Sequence, residues 1–311
     1  MKNKSDNKLI VEFSHPGAEY LPYKKREEPN IVFDNSLKIS GRRKWNNLKS
    51  HKRKFIQSIG NFISEDYTFH KDEKLTFWGE WEAESNFKMI NDIDTPRFVH
   101  YPILDKNYNG PTKHNTDPFV FGNDFWYTNC KQDSRPFLQR MSKGSIILFG
   151  TEGKTNFKLD TVFVIKQKFN YLEIQSKIKT FPEQLIKTNF IINNMLFDTN
   201  KAHYSYYVGN NYHDDQNLFS FSPSKVLRKK ALEGHERVLL NVNDFGLQKI
   251  GAGTVCKRLY LEKSINNNLD DKFLYDYWKK IVNACFDQGF VLGFDFELPK
   301  IIKNQLNSKL I

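Results

Sequence analysis

The chain has 311 residues, a formal charge of +11, and aromatic side chains at 15% of positions. No apolar run approaches the roughly 20 residues of a membrane-spanning helix, and the N-terminal MKNKSDNKLIVEF lacks a signal-type apolar stretch, so a membrane partner is not expected. Three widely spaced cysteines, Cys130, Cys256 and Cys285, form neither a disulfide framework nor a metal clip and point to a reducing cytoplasm.

In chain order, residues 9–13 read as an opening strand, and the Pro16-Gly17 turn leaves His15 at its end. A return strand is expected over 31–39. Residues 42–54 then hold seven Lys or Arg and no acid. Phe55, Ile56, Ile59, Phe62 and Ile63 follow at helical spacing, which predicts an amphipathic helix with its basic end at the N-terminus, where the macrodipole disfavours cations. That misfit favours a phosphate-facing role, against the plainer reading of a solvated basic loop.

Residues 75–87, LTFWGEWEAESNF, read as a strand with alternating faces. One face carries Phe77, Gly79, Trp81 and Ala83; the other carries Trp78, Glu80, Glu82 and Glu84. Three carboxylates in a row imply a wet face, a cation or a pocket. The second distinctive stretch is 114–130, in which Asn115 and Asp117 suit a capped turn before Pro118. Residues 119–121 and 125–128 are expected to pair as an aromatic hairpin that either fills a core or forms a stacking wall.

A short helix is expected over 131–141, and 144–150 with 157–165 are the firmest strand pair. Asp160 interrupts the second of these, as either a solvent-facing or a paired buried acid. Helical stretches are expected at 171–190, with a weak boundary near 166–200 between a β-rich N-terminal lobe and an α+β C-terminal lobe of one compact unit. Strands are expected at 202–208, 218–221, 238–242, 255–261 and 290–296. Ser222-Pro223-Ser224 is expected to start a helix through 225–233, bearing Arg228, Lys229 and Lys230, and a stronger helix is expected over 270–287 with Gly289 as its C-terminal cap.

P-loop, dinucleotide, nucleophile-elbow, HExxH and zinc-deaminase motifs are absent. What remains is a constellation. Glu80 or Glu82 could serve as base or nucleophile in glycosidic chemistry, or two such acids with Asp117 could hold Mg²⁺. Asn115 and Thr116 would hydrogen-bond a base or sugar, Trp78, Tyr127 or Phe125 would stack, Lys131 would meet a phosphate, and His15 or His100 would move a proton. Arg42, Arg43, Lys44, Lys52, Arg53, Lys54, Arg228, Lys229 and Lys230 make the expected nucleic-acid surface.

The strand pair 144–165 loosely resembles those in the PUA, EVE and ASCH class of small β-barrels. The resemblance implies nucleotide recognition through an aromatic pocket, although the ASCH-type GxKxxExR pattern is missing, and it assigns no residue a role. The expected fold is α+β, a mixed and largely antiparallel sheet or partly open barrel with a few covering helices. The expected function is nucleotide or nucleic-acid (DNA or RNA) binding. The alternatives are a nucleotide glycohydrolase acting through Glu80 or Glu82, and a protein-interaction module.

Overall fold

The computed structural model describes residues 6–15, 17–21, 31–33, 39–43, 52–82, 84–105, 116–170, 173, 203–227, 236–247, 256–266 and 268–302. Asn115, Lys44, Arg228, Lys229 and Lys230 lie outside them, as does nearly all of the 171–190 stretch. Two mixed sheets carry the fold. Among the described residues one α-helix, α1 (Asp271–Asp287), accompanies them, and no helix is long and apolar enough to cross a membrane.

Among the described residues the first sheet has seven strands. Its centre is β1 (Ile10–Ser14), β9 (Ile146–Glu152) and β10 (Asn156–Phe169). β1 runs parallel to β9, and β9 antiparallel to β10. β14 (Cys256–Leu259) flanks β1, while β11 (Tyr206–Gly209) and β8 (Trp126–Tyr127) continue from β10. β13 (Val238–Asn241) pairs with the first part of β10. The near-continuous apolar runs of β9 and β10 follow from burial on both faces. Ile146, Leu148, Val162 and Val164 meet the buried stripe of α1, whereas Ile147, Phe149, Phe163 and Ile165 meet Ile56, Phe77 and Trp81 from the second sheet.

α1 begins where Asp270 accepts a hydrogen bond from the Phe273 N–H at 2.8 Å. It stops at Gln288, with Gly289 in the left-handed region at φ 69°. Leu274, Tyr277, Trp278, Ile281 and Cys285 form its buried stripe, as their spacing predicts.

Among the described residues the second sheet has nine strands. Their order is β15 (Val291–Phe294), β12 (Ser222–Val226), β5 (Phe69–Gly79), β4 (Lys54–Ile63), β7 (Phe98–Asp105), β6 (Ser85–Met89), β3 (Ile39–Arg43) and β2 (Ile31–Phe33). β16 (Lys300–Ile302) pairs with β7. β15 also pairs with β4, so β4, β5, β12 and β15 close a circuit.

Several sequence expectations change. Residues 54–63 form strand β4 and not an amphipathic helix. Both ends of that strand are buried on both faces, so the two-residue alternation is lost and the apolar positions fall at helix-like intervals. Residues 222–226 are strand β12 where the N-terminal turn of a helix was expected. The expected helix at 131–141 contracts to a 3₁₀ turn at Pro136–Gln139. β5 ends at Gly79, so Glu80 and Glu82 lie beyond the strand, in an irregular connection to β6.

Candidate functional site

The 75–87 and 114–131 stretches meet. The Glu82 N–H donates to Thr116 Oγ1 at 2.9 Å, and the Trp81 ring centroid lies 5.2 Å from that of Phe121 and 6.3 Å from that of Phe119. Their junction is a sealed polar seam between the two sheets, not an aromatic-walled pocket.

Arg53, immediately before β4, is the hub of the seam. Its Nη1 lies 3.4 Å from Glu80 Oε2, and its Nη2 donates to the Gly150 carbonyl at 3.3 Å. Its Nε lies 2.9 Å from Asp160 Oδ2, a close ion pair without an aligned hydrogen bond. Asp160 is the bulged residue of β10, at the register shift between Leu159 and Thr161, and a bulge re-aims a side chain. Arg237 grips the same carboxylate, with Nε and Nη2 each donating at 2.7 Å. The arrangement therefore opposes two guanidinium groups to two buried carboxylates. Asp160 is the paired buried acid that its sequence position left open.

His15 lies just past β1. Its N–H donates to Gly150 O at 2.8 Å, and its Nε2 is 3.6 Å from both Glu80 Oε2 and Cys130 Sγ. Cysteine–histidine proximity raises the question of a nucleophile. However, burial pushes the Cys130 thiol well above its ordinary value, and the charges of Glu80 and Asp117 add to the rise. A thiol in that state does not act as a thiolate nucleophile.

Asp117 is buried and accepts from the Thr128, Asn129 and Cys130 N–H groups at 3.0, 2.8 and 2.7 Å, and from the Thr128 hydroxyl at 3.3 Å. Desolvation raises its pKa, while these donors pull it down. With both oxygens so committed, Asp117 organises the 128–130 turn. The expected Mg²⁺ arrangement with Glu80 or Glu82 does not form, and among the described residues no group of three His, Cys, Asp or Glu side chains has metal-binding geometry.

The aromatic hairpin forms through the Phe119–Trp126 bridge and fills the core. Tyr127 is fully buried, its hydroxyl donating to Cys130 O at 2.7 Å, and so presents no ring to a ligand. Trp78 is also buried, against Phe55 and beneath the Arg237 guanidinium. The stacking roles expected of these two rings are thus overturned, and Thr116, also buried, spends its hydroxyl on Glu82. Arg53 and Lys54 leave the expected nucleic-acid surface for the same reason: both are fully buried, and the Lys54 ammonium lies 4.6 Å above the Tyr20 ring. Lys131 is exposed, and Lys52 is half-buried.

An open cleft lies elsewhere, on the nine-stranded sheet. β4 and β7 pair only at Phe55 with Val99 and Ile56 with His100. Farther along, β15 takes the edge of β4 and β16 takes the edge of β7. The connecting segment crosses this fork, its Glu297 N–H donating to Ile59 O at 2.7 Å and its Lys300 in register with Ile103. The fork encloses a cleft of about 370 Å³, within the range of small-molecule sites. Gln57, Lys74, Asn86, Tyr101, Glu297 and Lys300 supply its polar groups, over apolar walls that include Ile59, Phe121 and Leu298. Among the described residues neither Lys74 nor Lys300 makes an ion pair. Partial burial raises the Tyr101 phenol above its ordinary pKa, keeping it a neutral donor.

Comparison with protein-family models, curated proteins and solved structures returned no match. Geometry alone therefore carries the functional reading.

Strand register links the cleft to the basic run. Arg42 of β3 stands opposite Asn86 of β6, which stands opposite Tyr101 of β7. Sequence reasoning missed Lys74, Lys300, Gln57 and Asn86 because the fork is assembled by pairings between distant segments. The alternation of exposed Asn86 and Lys88 in β6 was the one local signal of an open face.

Proposed function

We propose that the chain binds a nucleotide or nucleic acid in the cleft at the β4–β7 fork. The supporting observation is the presence of Lys74 and Lys300, neither ion-paired among the described residues, in one cleft with the Gln57 and Asn86 amides. Lysine neutralises phosphate, and an amide offers both a donor and an acceptor to a base edge. Phe121, Ile59 and Leu298 provide apolar surface for a base or sugar. Buried, free Cys130, Cys256 and Cys285 suit a reducing compartment, the cytoplasm.

A carboxylate-dependent hydrolase is the weaker reading. Glu80 is engaged with Arg53 and His15, and neither Glu80, Glu82 nor Asp117 lines the cleft. The test is fluorescence anisotropy with labelled oligonucleotides across a salt series. Replacing both Lys74 and Lys300 by Glu should weaken binding at least about tenfold and reduce the salt slope by roughly one for each lost phosphate contact. Unchanged affinity and slope would remove the cleft from the model.

A further inference from the structure

We infer that the cleft holds one nucleotide carrying a single phosphate, with its base at the closed end of the fork and its phosphate at the splayed end, so that a longer strand is held by its terminal nucleotide alone. This rests on the nucleotide-binding reading of the cleft.

Strand register sets the polar groups at two levels along the fork. β4 and β7 run parallel and last pair at Ile56 with His100, so Gln57 and Tyr101 are the first residues past the closed part. Asn86 stands opposite Tyr101 on β6. Behind them Phe55, Trp78 and Val99 form a buried apolar cluster, with Tyr101 packed against it. Two residues farther along come Ile59 and Ile103. These are the partners of Lys74 on β5 and Lys300 on β16, and both lysines are exposed. Residues two apart on a strand are separated by about 6.6 Å. The amides and the two ammonium groups therefore belong to different ends of one cleft, with apolar Ile59 and Leu298 in its walls.

A base at the closed end meets two amides and a phenol hydroxyl, each able to donate and to accept. The phosphate on its own sugar then falls between Lys74 and Lys300. These two bring two positive charges, and Glu297 beside them returns one negative charge. That balance suits one phosphate group, which carries about −1.5 to −2 at neutral pH, better than the larger charge of a triphosphate. The volume of about 370 Å³ accommodates one nucleotide. A second has no place past the closed end, where Phe55 and Val99 are buried, and the lining stops with Ile103 and Lys300 at the other.

The experiment is isothermal titration calorimetry of the full chain at about 150 mM salt, where loose phosphate contacts are screened. Adenosine and uridine are compared with their 5′-monophosphates, their 5′-triphosphates and 5′-phosphorylated octamers of the same base. Each monophosphate should bind at least about tenfold tighter than its nucleoside, and the triphosphate and octamer should stay within about threefold of the monophosphate. Lys74→Glu combined with Lys300→Glu should erase the preference for monophosphate over nucleoside. Gln57→Ala combined with Asn86→Ala should weaken both by the same factor and leave the preference intact. A misfolded fraction lowers the number of sites and not this ratio. A nucleoside bound as tightly as its monophosphate would overturn the placement of the phosphate. An octamer or triphosphate bound at least about tenfold tighter than the monophosphate would overturn the single-phosphate, single-nucleotide occupant while leaving the nucleotide reading in place. Binding of none of these ligands would overturn that reading itself.

Discussion

Arg53 and Asp160 face each other across the two sheets at 2.9 Å, one from the start of β4 and the other from the bulge of β10. Both are buried, and Glu80 lies on the far side of the same guanidinium. Removing one partner of a buried set leaves a charge without its counter-charge, which costs about 3–5 kcal/mol. Arg53→Met should lower unfolding stability by that amount in urea titration. Arg53→Lys should not restore it, because a single ammonium cannot reach Glu80, Asp160 and the Gly150 carbonyl together. Stability within about 0.5 kcal/mol of wild type would show that Arg237 alone neutralises the seam.

Asp117 offers a separate test. Its carboxylate collects three backbone N–H groups, so Asp117→Asn sets an amide N–H₂ against donors and should cost about 2 kcal/mol. Its pKa is raised, so between the ordinary carboxylate value and the raised one the folded chain binds more protons than the unfolded chain. The Asp117 contribution to stability is therefore largest below the ordinary value and declines as pH rises through that window. Chemical denaturation at several pH values should show this decline in the wild type and a shallower one in Asp117→Asn, because burial also raises Glu19, Asp124 and Asp295. An identical pH profile for the two would exclude Asp117 as its source.

The firmest parts of the fold were written locally. Residues 144–150 and 157–165 carry buried-strand runs, and 270–287 carries a helical stripe with an Asp cap and a terminal Gly. The candidate site was legible only in pieces. His15, Glu80, Glu82, Thr116 and Asp117 do converge, yet the sequence could not show that they converge inward. A carboxylate row reads as exposed because isolated buried acids are costly, and here Arg53, distant in sequence, meets Glu80 of that row and offsets part of that cost. The same distance hid the cleft, whose Lys74 and Lys300 come together only through the pairing of β16 with β7 and of β4 with β5.

The turn from β4 to β5 titrates in the opposite sense. Asp66 accepts from the Ser64 hydroxyl at 2.6 Å and the Thr68 N–H at 3.1 Å. These hydrogen bonds hold its pKa down to about 2. A depressed acid stabilises the fold above its ordinary value of 3.8 and loses that contribution as pH falls through about 2. NMR titration of the Asp66 carboxyl carbon should place its midpoint near that value. Ser64→Ala should move the midpoint upward; a midpoint already at the ordinary value in the wild type would mean that the turn bonds do not persist in solution.

Among the described residues Glu297 is the one carboxylate in the cleft lining, beside Lys74 and Lys300. In the proposed complex it repels phosphate, so Glu297→Gln should tighten oligonucleotide binding by roughly twofold, about 0.5 kcal/mol for an exposed charge. The gain should be largest at low salt and shrink as the Debye length falls. Anisotropy titrations at two salt concentrations measure both effects. Weaker binding by Glu297→Gln would assign the carboxylate a different task, accepting a hydrogen bond from a sugar hydroxyl or a base N–H. In that case ribose and deoxyribose oligonucleotides of one sequence would separate the two donors: a loss confined to the ribose form identifies the 2′-hydroxyl, and an equal loss in both identifies the base.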